Sequence, residues 1–72
     1  MSPEDEALIA KAALLGCPFK IHNGRYYTKL AIKHPLSKRL QEINGGLFGQ
    51  TDPIVLAREW VEYFTEHPHE TI

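Results

Sequence analysis

The stretch PFKIHNGRYYTKLAIK, residues 18–33, decides the fold, because its pattern is that of two β-strands joined by a two-residue turn. Asn23-Gly24 separates two runs of β-forming residues, and a type I′ turn needs the positive φ angles that Asn and Gly tolerate. A two-residue loop also fixes the strand register. The predicted pairs are His22 with Arg25, Ile21 with Tyr26, Lys20 with Tyr27, and Phe19 with Thr28.

This register separates apolar from charged side chains, because successive residues of a strand point to opposite faces. One face is predicted to carry Phe19, Ile21, Tyr26, Thr28, Leu30 and Ile32. The other is predicted to carry Lys20, His22, Arg25, Tyr27, Lys29, Ala31 and Lys33. The stretch has four Lys or Arg residues and no acid, so every charge of the predicted hairpin falls on the second face.

A helix is predicted on each side of the hairpin. In the first helix Ser2 is the expected N-cap, Pro3 the first helical residue and Gly16 the stop. In the last helix Asp52 is the expected cap, and the apolar stripe of IVLAREWVEYF can cover the apolar face of the hairpin. Pro68 ends that helix, and residues 67–72 are expected to fray.

Residues 34–50 leave two alternatives. Leu36, Leu40 and Ile43 have helical spacing, and Asn44-Gly45 is a natural helix end, so a short helix is preferred. In the other interpretation a third short strand forms around a second Asn-Gly turn. Either way the sequence predicts one small α+β domain over residues 1–72, with the C-terminal helix packed on one face of the hairpin.

Composition excludes several classes of protein. The chain has 72 residues, 43% of them hydrophobic and 24% charged, which is ordinary for a globular domain. No apolar run approaches the roughly 20 residues that cross a bilayer, and the acidic start MSPEDE is unlike an export signal, so no membrane partner is expected. The single Cys17 fits a reducing compartment, and we expect a cytoplasmic location.

Charge is distributed unevenly along the chain, although the formal net charge is only −1. Seven Lys or Arg residues and no acid lie between Ala7 and Gln41, whereas all nine acids and one Arg lie outside that window. Lys38 and Arg39 extend the cationic side of the hairpin. The predicted partner-binding residues, called the basic surface below, are Lys20, His22, Arg25, Tyr27, Lys29, Lys33, Lys38 and Arg39.

Four interpretations of the basic surface remain open. It is simply a solvated strand face, or it docks an acidic protein surface with Tyr27 or Arg25 as anchor. In the third interpretation the surface contacts nucleic acid phosphates while Tyr27 stacks on a base, although a pI near 6.4 is low for nucleic-acid-binding proteins. The fourth is a homodimer that pairs the basic half of one copy with the acidic half of another. Docking to an acidic protein is the preferred function.

Catalysis finds little support in the sequence. His67 and His69 are close in the chain, but no cysteine or acid at zinc-ligand spacing accompanies them, and we expect no metal and no cofactor. Ser37 has no recognisable base beside it. We therefore expect a small non-enzymatic adaptor, regulator or inhibitor. Compact chains of this kind are common among the accessory proteins of phages and other mobile elements.

Overall fold

The computed structural model describes residues 1–70, which form three α-helices and one antiparallel hairpin. The elements are α1 (Pro3–Leu14), β1 (Lys20–His22), β2 (Arg25–Tyr27), α2 (Pro35–Ile43), α3 (Pro53–Glu66) and a 3₁₀ turn (Pro68–Glu70). This arrangement confirms the predicted α+β fold, with α1 packed on α3. The tail that the sequence predicts to fray, residues 67–72, includes residues 71 and 72, which lie outside the described part of the chain.

The two long helices begin at the residues that the sequence predicts. The Ser2 hydroxyl accepts a hydrogen bond from the Asp5 N–H at 3.1 Å, which caps α1. The Asp52 carboxylate accepts one from the Ile54 N–H at 2.9 Å, which caps α3. Both bonds satisfy backbone donors that have no partner inside the helix. Local side-chain chemistry therefore sets where these helices start.

Trp60 on α3 lies at the centre of the core. Its side chain is fully buried, and its indole N–H donates a hydrogen bond to the Leu15 carbonyl at the end of α1, at 3.0 Å. Ala12 and Ala57 are also fully buried, and such small residues let the two helices approach closely. The core residues are Ala12, Cys17, Leu36, Leu40, Leu56, Ala57, Trp60 and Phe64.

Cys17 belongs to this core rather than to a reactive site. Its side chain is buried, and that burial raises the pKa of the thiol to about 12. A thiol with so high a pKa stays protonated near neutral pH, and the thiolate is the reactive form. Cys17 therefore acts as a small apolar residue behind the end of α1.

The hairpin has the predicted register, with Lys20 opposite Tyr27 and Ile21 opposite Tyr26. Asn23 and Gly24 have φ angles of +51° and +74°, as a type I′ turn requires. Each strand is only three residues long. The hairpin is therefore a small projection from the helical core and not a full layer of the fold.

The second strand ends earlier than side-chain alternation predicts. The Thr28 hydroxyl accepts a hydrogen bond from the Leu30 N–H at 3.3 Å, and this local turn takes the chain out of the strand. Ile32, predicted on the apolar face, is 69% exposed. Phe19 and Tyr26 still pack against the core, with their rings edge to face at 6.5 Å. The apolar face of the hairpin is thus narrower than the sequence suggests.

Residues 35–43 form the short helix, which decides between the two alternatives for the middle of the chain. The His34 Nδ1 atom accepts the Leu36 N–H at 3.1 Å and caps α2, and Asn44 ends it. Leu36 and Leu40 are both buried, because four-residue spacing puts them on one side of a helix. A third strand does not form here, and the one residue of 34–50 that pairs with the hairpin is Gln50.

Gln50 joins the hairpin to α2. Its backbone exchanges two hydrogen bonds with Tyr26, at 2.7 and 2.9 Å. Its side-chain amide is buried and donates to the Leu40 carbonyl at 2.6 Å. The Asn44 N–H also donates to that carbonyl, at 3.1 Å. One residue therefore connects the outer edge of β2 to the C-terminal turn of α2.

We predict that Gln50→Leu lowers the free energy of unfolding by about 1 kcal/mol, because a buried donor–acceptor pair is lost. The Tyr26 amide should also exchange with solvent faster. Gln41→Leu is the matched control, since the Gln41 amide donates to the Gly46 carbonyl in an exposed position. Urea unfolding and amide hydrogen exchange measure both effects. Equal losses in the two variants would contradict the assigned role of Gln50.

Candidate functional site

Four residues of the predicted site lie together on one face of the hairpin, which we call the hairpin face: Lys20, His22, Arg25 and Tyr27. The pairs Lys20–Tyr27 and His22–Arg25 put these side chains on the same side of the sheet. Lys20 and His22 are exposed, and the His22 and Tyr27 rings meet at 6.1 Å with an interplanar angle of 66°. The strand pairing thus assembles two cations, an imidazole and a phenol.

The loop before α3 holds two of these side chains in place. Arg25 Nη1 donates a hydrogen bond to the Gly49 carbonyl at 3.2 Å. Gly49 has φ +82°, and a Cβ atom there would lie 2.8 Å from Tyr27 Cζ and 2.9 Å from Arg25 Cβ. The glycine backbone therefore lies directly against both side chains. Asn44 Nδ2 donates to the same carbonyl and fixes the loop from the α2 side.

The other four predicted residues lie away from the hairpin. Lys29 and Lys33 are exposed in the turn region between β2 and α2, because β2 ends at Tyr27. Lys38 is exposed on α2. Arg39 is also on α2, but its Nε donates to Glu59 Oε1 of α3 at 3.2 Å. That ion pair offsets part of the charge that the sequence assigns to the surface.

An apolar groove lies beside the hairpin face, between the hairpin, α2 and the loop before α3. It encloses about 270 Å³, and its apolar walls are Tyr26, Tyr27, Leu30, Ile32, Leu40 and Phe48. Ile32 and Phe48 are 69% and 50% exposed, and apolar residues that are exposed side by side can mark an interaction site. Within residues 1–70, none of the residues that line the groove is charged. Tyr27 belongs to both the groove and the hairpin face.

Sequence reasoning did not find this groove. Phe48 and Ile32 are 16 positions apart, and the local pattern that predicts a strand at Ile32 predicts no contact with Phe48. The single available signal was Phe48 itself, a large aromatic residue flanked by Gly45, Gly46 and Gly49. An apolar side chain in a glycine-rich loop packs against another element or stays exposed.

A second cluster joins α2, α3 and the 3₁₀ turn. The Tyr63 hydroxyl donates to the Glu70 carboxylate, with distances of 2.8 and 2.9 Å to its two oxygens. His34 Nε2 lies 3.4 Å from Glu70 Oε1, and the His67 ring stacks on Tyr63 at 4.2 Å. The Tyr63 hydrogen bond lowers the pKa of Glu70, while burial and Glu70 raise the pKa of Tyr63. This cluster fastens the 3₁₀ turn to the helices.

Across residues 1–70, no three His, Cys, Asp or Glu side chains come together to hold a metal ion. Every buried side-chain N or O atom in the same residues has a hydrogen-bond partner. The groove is also slightly smaller than the roughly 300–1,000 Å³ of typical small-molecule sites. Its size and apolar lining are suited to one or two side chains of another molecule.

Comparison with known proteins gives no further assignment, since no family model, no curated protein and no solved structure matches this chain. Among the described residues, no helix has the length and apolar character needed to traverse a bilayer. The hairpin face and the groove are therefore the two surfaces from which a function can be inferred.

We predict that Gly49→Ala destabilises the protein more than Gly46→Ala does. Both glycines have φ angles in the left-handed region, which costs an alanine about 1–2 kcal/mol. Only Gly49 also has Tyr27 and Arg25 within 3 Å of the new methyl group, and such overpacking adds about 1–3 kcal/mol. Urea unfolding measures the difference, and NMR shifts of Tyr27 report the displacement. Equal destabilisation would show that the loop does not hold these side chains.

We predict that Tyr63→Phe raises the pKa of Glu70, because it removes the largest cause of the lowered value. A lowered pKa stabilises the fold above the pKa of the unfolded chain, and this contribution disappears as the pH falls through the folded-state value. The pH at which this contribution to stability is lost should therefore be higher in the variant. Carbon-detected NMR titration of the Glu70 carboxyl measures the shift, with Tyr27→Phe as control. An unchanged Glu70 pKa would refute the assigned cause.

Proposed function

We propose that this protein is a small non-enzymatic binding protein that docks an acidic protein surface through the hairpin face. The observation that carries the proposal is the fixation of Arg25 and Tyr27 by Gly49, beside the exposed Lys20 and His22. Arg and Tyr are among the residues that dominate binding energy at protein interfaces. Side chains that are already held lose less conformational entropy on binding.

Electrostatics supports an acidic partner. No acid occurs between Ala7 and Gln41, so the hairpin and the following turn carry cations only. A complementary surface accelerates association and disfavours partners of the same charge. Lys29, Lys33 and Lys38 are exposed and extend the attractive region, while Arg39 contributes less because it pairs with Glu59. A cytoplasmic location is part of this proposal, and the buried, protonated Cys17 supports it.

The test compares two variants with the same change in net charge. Lys20→Glu/Lys29→Glu reverses two charges of the basic surface, and Lys11→Glu/Arg58→Glu reverses two exposed charges elsewhere. Partners are captured from nuclease-treated extract, identified, purified and titrated against each variant. We expect the first variant and Tyr27→Ala to weaken binding at least roughly tenfold, as hot-spot residues do, while the control changes it little.

Two results would contradict the proposal. The first is equal weakening by both charge-reversed variants, which would mean that the partner senses net charge and not this face. The second is tight binding of a 12-base-pair DNA duplex that weakens by orders of magnitude between 50 and 200 mM salt, the expected behaviour for several phosphate contacts. The latter would assign the basic surface to nucleic acid.

A further inference from the structure

The apolar groove has the features of a receptor for one large side chain. It adjoins the hairpin face directly, because Tyr27 contributes to both. Two of its wall residues, Ile32 and Phe48, are half or more exposed. Its position beside a charged face matches the usual anatomy of a protein interface, in which an apolar centre is bordered by polar residues.

Several polar groups that line the groove are hydrogen-bonded within the protein. The Gln50 amide donates to the Leu40 carbonyl, and the Gln50 backbone pairs with Tyr26. The Gln41 amide donates to the Gly46 carbonyl, and the Thr28 hydroxyl accepts the Leu30 N–H. A polar ligand would have to compete with these bonds. An apolar group can enter the groove without breaking these hydrogen bonds, because it needs no hydrogen-bond partner there.

The charged residues near the groove favour a segment with acidic residues beside its apolar residue. The residues next in the chain to a groove-lining residue include Arg25, Lys29, Lys33 and Lys38, and all but the half-buried Arg25 are exposed. Glu42 is the single acid in such a position within the described chain, and Arg39 is paired with Glu59. Positive residues therefore predominate among the exposed charged neighbours of the groove.

We infer that the groove binds a short acidic segment of a partner protein and takes one large apolar side chain of that segment between Tyr27, Ile32 and Phe48. This inference rests on the proposed function and adds the occupant of the groove to it. The Asp or Glu residues that flank the apolar side chain approach Lys29 and Lys33. Protein is favoured over nucleic acid because the residues that line the groove are uncharged and mostly apolar.

The experiment selects ligands from a displayed library of random 12-residue peptides. Wild-type protein is the bait, and Ile32→Ser/Phe48→Ser is the groove variant. Leu14→Ser is the control, since Leu14 is an 88% exposed apolar residue on α1, outside the groove. We expect enriched peptides with one Leu, Ile, Phe or Trp between acidic residues. A synthesised peptide should bind the groove variant at least tenfold more weakly, and Leu14→Ser within twofold of wild type.

A second comparison changes the peptide. Replacing its apolar residue by Ala should weaken binding to the wild type tenfold and leave binding to the groove variant almost unchanged, because the two groups interact. Circular dichroism and NMR spectra of the variants establish that they fold. If the groove variant is unfolded, Ser37→Phe, which fills the groove from α2, replaces it in the same comparison.

The outcomes separate this inference from the proposed function. One outcome is enrichment of acidic peptides without an apolar preference, which bind the groove variant as tightly as the wild type and bind Lys20→Glu/Lys29→Glu more weakly. It would overturn the inference about the groove and leave the proposed function of the hairpin face intact. Enriched peptides without acidic residues would overturn both, whereas a library that yields no binder would overturn the groove inference alone, because the proposed function concerns an acidic protein surface. A DNA duplex that binds more tightly than every selected peptide would also overturn both and assign the surface to nucleic acid.

Discussion

The hairpin depends on Gln50, the residue that fastens it to the helical core. A two-stranded hairpin of three residues per strand is at best marginally stable in water. Here the Tyr26 backbone gains a partner on its outer side, and the Gln50 amide carries the connection to the Leu40 carbonyl. The same loop brings Gly49 against Arg25 and Tyr27. Residues 49 and 50 thus determine both the position of the hairpin and the conformation of its Arg25 and Tyr27 side chains.

The core and the binding side are built by different parts of the chain. Trp60, Phe64, Leu36 and Leu56 are buried among the helices, while Phe19, just before β1, and Tyr26 of β2 pack at the margin. The exposed side chains of these two surfaces are therefore not needed to fill the core: Lys20, His22, Tyr27, Ile32 and Phe48. Substitutions at exposed positions usually change stability by less than about 0.5 kcal/mol. Such a surface can change its specificity without loss of the fold.

The sequence predicts those features that depend on neighbouring residues. The caps at Ser2 and Asp52, the Asn23-Gly24 turn and the hairpin register follow from local chemistry, and the structure has all of them. The end of β2 was missed, because one hydroxyl bond of Thr28 overrides an alternating pattern that continues to Lys33. Gln50 and the groove were missed because they join segments 10 to 24 residues apart, and no local pattern records such contacts.

The pairing of Tyr26 with Gln50 also gives the small sheet two unlike edges. The outer side of β2 is covered at Tyr26, whereas the outer side of β1 has no neighbouring strand within residues 1–70. Hydrogen-bonding directions alternate along an antiparallel pair, so Ile21, opposite Tyr26, also directs its N–H and C=O outward. One outward pair beside the charge of Lys20 is too little to template a strand of another molecule. The small sheet thus has one edge covered by Gln50 and one open edge that offers a single outward pair of backbone groups.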